Sequence, residues 1–273
     1  MNRKTSRLAV MVASCLFALS VGAAPLYAGS PLVTDDAGTV EAGKVEIGLN
    51  GSYIHDRQSS GGVTTRRDAA AGELHITTGL YTNVDISLTV PRTFSDRTKE
   101  DASQLATSSG GLGDMTVVLK YSFGELAGIA FAIKPKVIMP TGRFDVGLSE
   151  GRWQFGTTLI ATRAFEDGKY ALHGNLGYEH HDYRDVEVRS SHRGDLWSGS
   201  IAGEMKLLKG LAAVADLGVA STADRSTSEI SVFALTGARY ELNEHIDMNA
   251  GIKLGLTKPE NDLALVYGVT IKF

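Results

Sequence analysis

The most constraining feature of this sequence is an alternation of apolar and polar residues that recurs along most of its length. In the stretch Lys44–Tyr53, valine, isoleucine, leucine and tyrosine fall on one face, and glutamate, asparagine and serine fall on the other. Successive side chains of a β-strand point to opposite faces, so this pattern predicts strands that separate two unlike environments. The pattern recurs about 12 times before the C-terminal Phe273.

These segments favour a closed membrane barrel over a soluble β-sandwich. The polar face carries charges near the middle of most segments, and aromatic residues such as Tyr53, Tyr121 and Phe123 lie near the ends of the apolar face, as in interfacial girdles. A sandwich, the soluble alternative, would bury one face in a core. Hydrocarbon offers no partner for backbone groups, so a membrane sheet must close on itself. We predict an all-β, transmembrane, antiparallel up-and-down barrel of about 12 strands.

The lengths of the connectors predict how the barrel is oriented. Short connectors, such as Tyr81–Asn83 and Glu241–His245, alternate with long polar ones. The long connectors are Asp56–Arg67, Pro91–Gly111, Thr141–Arg152 and Asp182–Arg193. Short turns of such barrels face the periplasm and long loops face outside, so both termini are expected on the periplasmic side.

The N-terminus has the layout of a secretory signal. Arg3, Lys4 and Arg7 precede an apolar run that ends in small residues near Ala28. We therefore predict export through a cleaved signal peptide, with a helical anchor kept in the mature protein and a lipoprotein acylated at Cys15 as alternatives.

This cleavage divides the chain into a signal peptide (residues 1–28), a periplasmic N-terminal segment (29–42) and a barrel (43–273). Removal of the signal takes away the only cysteine, so the mature chain can form no disulfide or thiolate metal site. It also takes the formal charge from −4 to −7, which disfavours a nucleic-acid partner.

The residues on the polar faces of the predicted strands are expected to line the lumen. They include many acidic and many basic side chains. The predicted lining residues are Glu46, Glu73, Asp85, Lys120, Lys134, Lys136, His173, Glu179, Glu204, Lys206, Asp216, Arg239, Asp247 and Lys253. Buried charges must be paired, so such a lumen is either a narrow solute path or a set of ion pairs that closes itself. Barrels of about 8 strands are filled by side chains and those of about 16 are open, which leaves both readings available.

Two further clusters invite a metal-site hypothesis. Asp35 and Asp36 precede the first strand and could bind a divalent cation. We favour an Asp-rich turn, and a third reading has residues 29–42 tucked into the periplasmic mouth. His180 and His181 are neighbours on a strand and point to opposite faces, so they cannot share one ion with His192 without a bulge. No metal or cofactor is predicted.

Several stretches resemble one family of outer-membrane proteins, described as "putative MetA-pathway of phenol degradation" or as transporters. They are Pro31–Val40 (Pro-Leu-Val-Thr-Asp-Asp-Ala-Gly-Thr-Val), Gly43–Glu46, Gly111–Thr116, Pro135–Arg143 with its Met-Pro-Thr-Gly step, and Gly237–Tyr240. The resemblance covers nearly the whole mature chain and implies an outer-membrane channel, linked by the family name to aromatic compounds.

The last strand resembles the signal read by the barrel assembly machinery. Its alternating residues Tyr267, Val269 and Ile271 lead to the terminal Phe273. This resemblance implies the assembly machinery as a partner, beside outer-membrane lipid.

Together these observations predict a porin-like protein of a Gram-negative outer membrane that carries small molecules passively through a narrow charged lumen. The alternatives are a structural or loop-binding barrel without conductance and a lipid-acting enzyme. The chain has no Gly-x-Ser-x-Gly motif, and we do not expect an enzyme. A single chain can close the barrel, so a monomer is expected.

Overall fold

The computed structural model describes residues 30–60, 63–100 and 106–273. The predicted signal peptide, with Cys15, lies outside the described residues. Thirteen strand segments are present. They are β1 Val45–Ser60, β2 Val63–Tyr81, β3 Val84–Glu100, β4 Ala106–Leu112, β5 Met115–Leu126, β6 Ile129–Met139, β7 Gln154–Phe165, β8 Tyr170–His180, β9 Asp195–Leu208, β10 Leu211–Ala220, β11 Ser231–Asn243, β12 Ile246–Gly255 and β13 Leu263–Lys272.

Two short helical elements lie in the connectors. A 3₁₀ helix spans Phe144–Val146, and helix α1 spans Val186–Ser191. The side chain of Asp185 caps α1 by accepting hydrogen bonds from the backbone amides of Glu187 and Val188. Within the described ranges, no helix is long and apolar enough to cross a membrane.

The strands form one closed antiparallel sheet. β1 pairs with β2 on one side and with β13 on the other, and β2 also pairs with β3, so the sheet has no open edge. β4 and β5 pair with β3 one after the other and make one strand, interrupted at Gly113 and Asp114. The result is a barrel of 12 strands, which confirms the predicted fold class.

The two faces of the barrel differ as the alternation predicts. The outer face exposes large apolar side chains, such as Leu49, Leu176 and Leu217, whereas polar residues on the inner face are buried. Aromatic pairs lie toward both ends. Tyr121 and Phe123 meet edge to face at the end with the short turns, and Tyr178 and Trp197 meet at the other end. An apolar band between aromatic belts is the surface that a bilayer covers.

Three strands are much longer than a membrane crossing requires. β1, β2 and β3 contain 16, 19 and 17 residues, whereas about 9–11 suffice. The prediction of long loops at Asp56–Arg67 and Pro91–Gly111 was therefore wrong over most of both ranges. The strands stay paired there, but polar residues occupy both faces of the sheet. Without alternation of apolar and polar residues, the sequence of these extensions resembled that of a loop. The connectors 141–152 and 182–193 do lie between strands.

Residues 30–42, which we call the N-terminal plug, lie inside the barrel. Leu32 is buried in the lumen against Ala202, Val214, Phe233 and other apolar residues of the wall. The sequence analysis expected a periplasmic N-terminal segment over residues 29–42 and gave, as a third reading, a segment tucked into the periplasmic mouth. The described part of this segment contacts the wall of the lumen. The inward-facing charges of the wall supply partners for its backbone and side chains.

Candidate functional site

The N-terminal plug crosses the lumen from one wall to the other. Ser30 Oγ donates a hydrogen bond to Asn249 on β12 (2.9 Å). The chain then passes Asp216 on β10 and reaches the opposite wall at β5 and β6 through Asp35. It returns toward the short-turn end, where Ala42 pairs with Gly79 of β2. The plug therefore contacts walls on both sides of the barrel.

Asp216 is the first anchor of the plug. Its Oδ2 accepts hydrogen bonds from the backbone amides of Val33 and Thr34, both at 2.8 Å. Thr34 Oγ1 lies 2.7 Å from Asp216 Oδ1 and 2.7 Å from Ser200 Oγ. Asp216 is only 2% exposed. Hydrogen bonds to an ionised acceptor are stronger than hydrogen bonds between neutral groups. The carboxylate of Asp216 therefore binds this part of the plug strongly to the wall.

Asp35 is the second anchor. Lys134 Nζ lies 2.6 Å from its Oδ2, and Lys120 Nζ lies 3.4 Å from its Oδ1. Burial would raise the pKa of Asp35, but the two nearby lysines outweigh this effect and lower it. With its amide in the orientation that satisfies both partners, Asn175 accepts from Asp35 N (2.7 Å) and donates to Asp35 O (3.0 Å). Both the backbone and the side chain of Asp35 are thus bonded to the wall.

Asp35 and Asp36 do not act as a pair of ligands in this structure. Asp36 Oδ1 accepts a hydrogen bond from Gly38 N at 2.6 Å, which forms the kind of turn that Asp residues favour. Asp35 instead faces ammonium groups, as described above. The arrangement combines two of the readings from the sequence, a turn at Asp36 and a segment tucked into the barrel.

The return path of the plug rests on three further contacts. Ala37 N donates to Thr162 Oγ1 (2.9 Å), and Val40 N donates to Asp85 Oδ2 (3.1 Å). Gly43 N donates to Gly79 O at 2.9 Å. Glycine is required at position 79, because a Cβ atom there would collide with the carbonyl group of Glu41.

The predicted lining residues take several kinds of position. Asp85, Lys120, Lys134 and Asp216 contact the plug, as described above. Others pair within the wall: Lys136 with Glu179 (2.6 Å), Arg239 with Glu204 (2.7 Å), Lys253 with Glu260 (3.0 Å) and Asp247 with Lys272 (2.5 Å). Glu73 accepts from Asn50, and His173 is bonded to Thr162. Glu46 and Lys206 border the cavity described next.

A cavity of about 390 Å³ lies between the plug and the short-turn end. Plug residues such as Asp36 and Thr39 form part of its boundary, and wall residues of both charges, including Lys120, Glu204 and Lys272, form the rest. The cavity is therefore polar and of mixed charge. Sequence reasoning nominated much of its wall, but it offered the tucked segment only as a third reading, because the plug has no periodic pattern.

Paired side chains also occupy the lumen on the other side of the plug. Arg67 NH2 lies 2.7 Å from Asp96 Oδ2, and both side chains are largely buried. Ile54, Ala69 and Ala264 pack together in an apolar cluster near the same end. An ion pair and an apolar cluster thus lie in the lumen at the end opposite the short turns.

The histidines considered as metal ligands have separate partners. His180 Nδ1 lies 2.9 Å from Asp195, and His181 Nε2 lies 3.1 Å from Glu179. His192 Nδ1 lies 3.0 Å from the carbonyl oxygen of Val188. Across the residues that the structure describes, no group of three or more metal-ligating side chains is assembled.

Solved outer-membrane barrels share this fold. The COG4313 outer membrane channel from Pseudomonas putida F1 superposes with a TM-score of 0.71, at 14% identity, over 87% of this chain and 98% of that one. The translocator domain of the autotransporter NalP from Neisseria meningitidis has a TM-score of 0.55, at 14% identity, over 99% and 98%. The KdgM porin has a TM-score of 0.51, at 12% identity, over 84% and 99%.

A search of curated proteins found no match. The family model described as "Putative MetA-pathway of phenol degradation" matches residues 28–273. This range covers the plug and every strand described above. The chain therefore belongs to the "Putative MetA-pathway of phenol degradation" family, as the resemblance of its motifs predicted.

Proposed function

We propose that the protein is an outer-membrane channel for the passive passage of small molecules, and that the N-terminal plug constricts its path. The observation that carries this proposal is that a separate segment of chain crosses the lumen. That segment is held largely by hydrogen bonds and ion pairs to wall residues such as Asp216 and Lys134. Contacts of this kind can be exchanged for water when the segment moves, so the closed lumen can open without unfolding the barrel.

The same proposal includes an orientation and a route of export. We place the short turns and both termini in the periplasm, because barrels of this class have that arrangement. Residues 1–28 would be removed as a signal peptide, and the barrel would function as a monomer. The assembly machinery would read the last strand. Its Tyr267 and Phe273 side chains are exposed on the outer face, and its backbone pairs with β1 at Val45.

We further propose that the solutes are small and include aromatic compounds. The family name refers to phenol degradation, and a cavity of roughly 150 Å³ is enough to hold benzene. The cavity beside the plug, at about 390 Å³, exceeds that size. Its charged lining favours solutes that carry a polar group, such as a hydroxyl or a carboxylate.

Single-channel recording in planar bilayers tests the proposal. We expect small conductance steps from the full mature chain and larger, more stable steps from a variant that lacks residues 31–40. A heat-modifiable, folded barrel that conducts in neither form would instead favour a structural barrel. Uptake of aromatic acids and of sugars of similar size into proteoliposomes then tests the choice of solute.

A lipid-acting enzyme would need a nucleophile beside a base. Two histidine–aspartate pairs lie on the outer surface, His55 with Asp68 (2.8 Å) and His180 with Asp195 (2.9 Å). In the described part of the chain, neither histidine is hydrogen-bonded to a serine or threonine side chain. We therefore propose no hydrolytic role, and an assay of phospholipid and ester hydrolysis by the refolded protein tests this choice.

A further inference from the structure

A small apolar niche lies in the inner wall formed by β9, β10, β11 and β13. Its buried side chains are those of Ala202, Val214, Phe233, Leu235 and Val266. Leu32 of the plug packs against them and is itself only 2% exposed. An apolar concavity with a few polar groups at its edge is typical of binding sites for small organic molecules.

Two glycines give the niche a flat floor. Gly237 of β11 and Gly251 of β12 are directly opposite each other, and the ring of Pro31 lies on them. A Cβ atom at either position would lie 3.0 Å from a carbon atom of Pro31. Glycine within a strand often marks a place where a ligand or another segment approaches the backbone closely. The floor therefore accommodates a ring in direct contact with the sheet.

Asp216 supplies the polar edge of the niche. It follows Val214 by two residues on β10, so the two side chains share the inward face. In the described part of the chain, every hydrogen bond to the Asp216 carboxylate comes from the plug, through the amides of Val33 and Thr34 and the hydroxyl of Thr34. When the plug leaves, this carboxylate needs other donors, because a buried charge without hydrogen bonds is costly.

The plug presents an apolar ring and a hydroxyl group to the same stretch of wall. Pro31 and Leu32 fill the apolar part, and Thr34 Oγ1 lies 2.7 Å from both Asp216 Oδ1 and Ser200 Oγ. A phenol combines the same two features, a flat apolar ring and an O–H donor, in one small molecule.

The niche adjoins the cavity on the short-turn side of the plug. Ser30, which precedes Pro31, borders that cavity. Ala212, which shares the inward face of β10 with Val214, also borders it. A solute in the cavity is therefore next to the niche and can occupy it once the plug withdraws.

We propose that this niche is a binding site for hydroxylated aromatic compounds and that the plug occupies it when no solute is bound. The ring of the solute takes the place of Pro31 and Leu32 on the two glycines, beside Phe233, and its hydroxyl donates to Asp216. The inference rests on the proposed channel function, in which the plug moves, and it selects phenols from the wider class of aromatic solutes.

The same geometry disfavours other aromatic compounds. An aromatic carboxylate would be repelled by Asp216, since an ionised carboxylate accepts hydrogen bonds but donates none. An aromatic hydrocarbon would fill the apolar part and contribute no donor to the carboxylate. Dependence of binding on Asp216 therefore separates phenols from both.

Fluorine NMR tests the niche with three probes, 4-fluorophenol, fluorobenzene and 4-fluorobenzoate, added to the refolded full mature chain in detergent. Empty micelles give the background that arises from partition into detergent. One variant, Pro31→Gly with Leu32→Gly, vacates the niche and keeps the anchor of the plug at Asp35. Heat-modifiable mobility on a gel establishes folding, and Leu32→Ala alone replaces the double variant if the latter does not fold.

Asp216→Ala is then introduced into the vacated variant. The matched control is Asp114→Ala, at the interruption between β4 and β5. Asp114 also accepts hydrogen bonds from two backbone amides, those of Gly142 and Glu150, and it takes no part in the niche.

We expect the vacated variant to bind 4-fluorophenol about tenfold more tightly than the unmodified chain, because no plug side chains have to be displaced. Asp216→Ala should weaken that binding about tenfold to a hundredfold, the effect of one hydrogen bond to a charged group. Fluorobenzene should bind equally with and without Asp216, and 4-fluorobenzoate should bind more tightly without it. Asp114→Ala should change none of the three.

Equal binding of 4-fluorophenol by the unmodified chain and the vacated variant would overturn the proposal, because the niche would then hold only the plug. An equal loss of fluorobenzene and 4-fluorophenol in Asp216→Ala would also overturn it, as would the same loss in Asp114→Ala.

These measurements do not depend on conductance. Binding that depends on Asp216 in a barrel that never conducts would keep the niche and refute the channel. A conducting barrel that binds the probes equally with and without Asp216 would keep the channel and refute the niche.

Discussion

Lys134 Nζ lies 2.6 Å from Asp35 Oδ2, so the wall of the barrel forms a buried ion pair with the N-terminal plug. Lys120 approaches the other oxygen of the same carboxylate. The two lysines come from adjacent strands, β5 and β6, and the carboxylate of Asp35 contacts both. This contact links the position of the plug to the charge of the wall.

Replacement of Asp35 by asparagine should loosen the plug. The change keeps the shape of the side chain but removes the negative charge from beside two buried ammonium groups, and loss of one member of a buried pair costs about 3–5 kcal/mol. We expect larger or more frequent conductance steps in planar bilayers. The control is Asp145→Asn, which breaks a pair of similar length (2.7 Å) in an exposed connector. Unchanged conductance for Asp35→Asn would contradict the role of the plug as a constriction.

Replacement of Asp216 by alanine should release the opposite end of the plug. Val33 N, Thr34 N and Thr34 Oγ1 would each lose a bond to a charged group, and such bonds contribute about 1.5–3 kcal/mol each. A thiol introduced by Leu32→Cys reports the release, since Leu32 adjoins Val33 and is 2% exposed. We expect a water-soluble maleimide to label it much faster in the Asp216→Ala background. Asp224→Ala, which removes contacts within a connector, should leave the labelling slow.

The two faces of the barrel should respond differently to a new charge. Leu88 is opposite Val117 on the outward face, and an arginine near the bilayer midplane costs roughly 2–4 kcal/mol. Leu88→Arg should therefore lower the free energy of unfolding in lipid vesicles by about that amount. Thr270 borders the cavity inside the barrel, so Thr270→Arg should cost far less. Equal costs in urea titrations would mean that the two faces are wrongly assigned.

The alternation predicts the fold well because lipid and water impose opposite demands on neighbouring residues. Leu88 and Ser87 differ in polarity for that reason, and the sequence shows the difference directly. Past the edge of the apolar band this contrast ends. Arg57 and Arg66 are then paired in strands that the sequence analysis treated as a loop. The backbones of these strands remain paired there, but the side chains no longer alternate between apolar and polar, so the sequence does not indicate the strands.

The candidate site is less predictable because it depends on contacts between distant parts of the chain. Alternation nominates Lys134 and Asp216 as inward-facing, but it does not say what they bind. Their partners, Asp35 and Thr34, belong to a segment with no periodicity, and they meet the wall only after the barrel has closed. One available signal was Leu32, an apolar residue close to two aspartates in the segment that was expected to lie in the periplasm.

The connectors at the end opposite the short turns should become less stable as the pH rises. Glu150 links two of them: its amide donates to Asp114 Oδ2 (3.3 Å), and its carbonyl oxygen accepts from Arg184 N (3.0 Å). Burial raises the pKa of its carboxyl group to about 7, although the nearby His181 lowers it in part. The folded protein thus holds this proton more tightly than the unfolded chain, whose glutamate has a pKa of 4.5.

A raised pKa of this kind stabilises the folded connectors at low pH, and the stabilisation is lost as the pH rises through about 7. We expect the amide of Arg184 to be better protected from hydrogen exchange at about pH 5 than at about pH 8, after correction for intrinsic rates. Glu150→Gln should remove most of that difference, because glutamine does not ionise. Glu244→Gln, in an exposed turn at the other end, should preserve it. A pH dependence that survives in Glu150→Gln would assign the effect to another group.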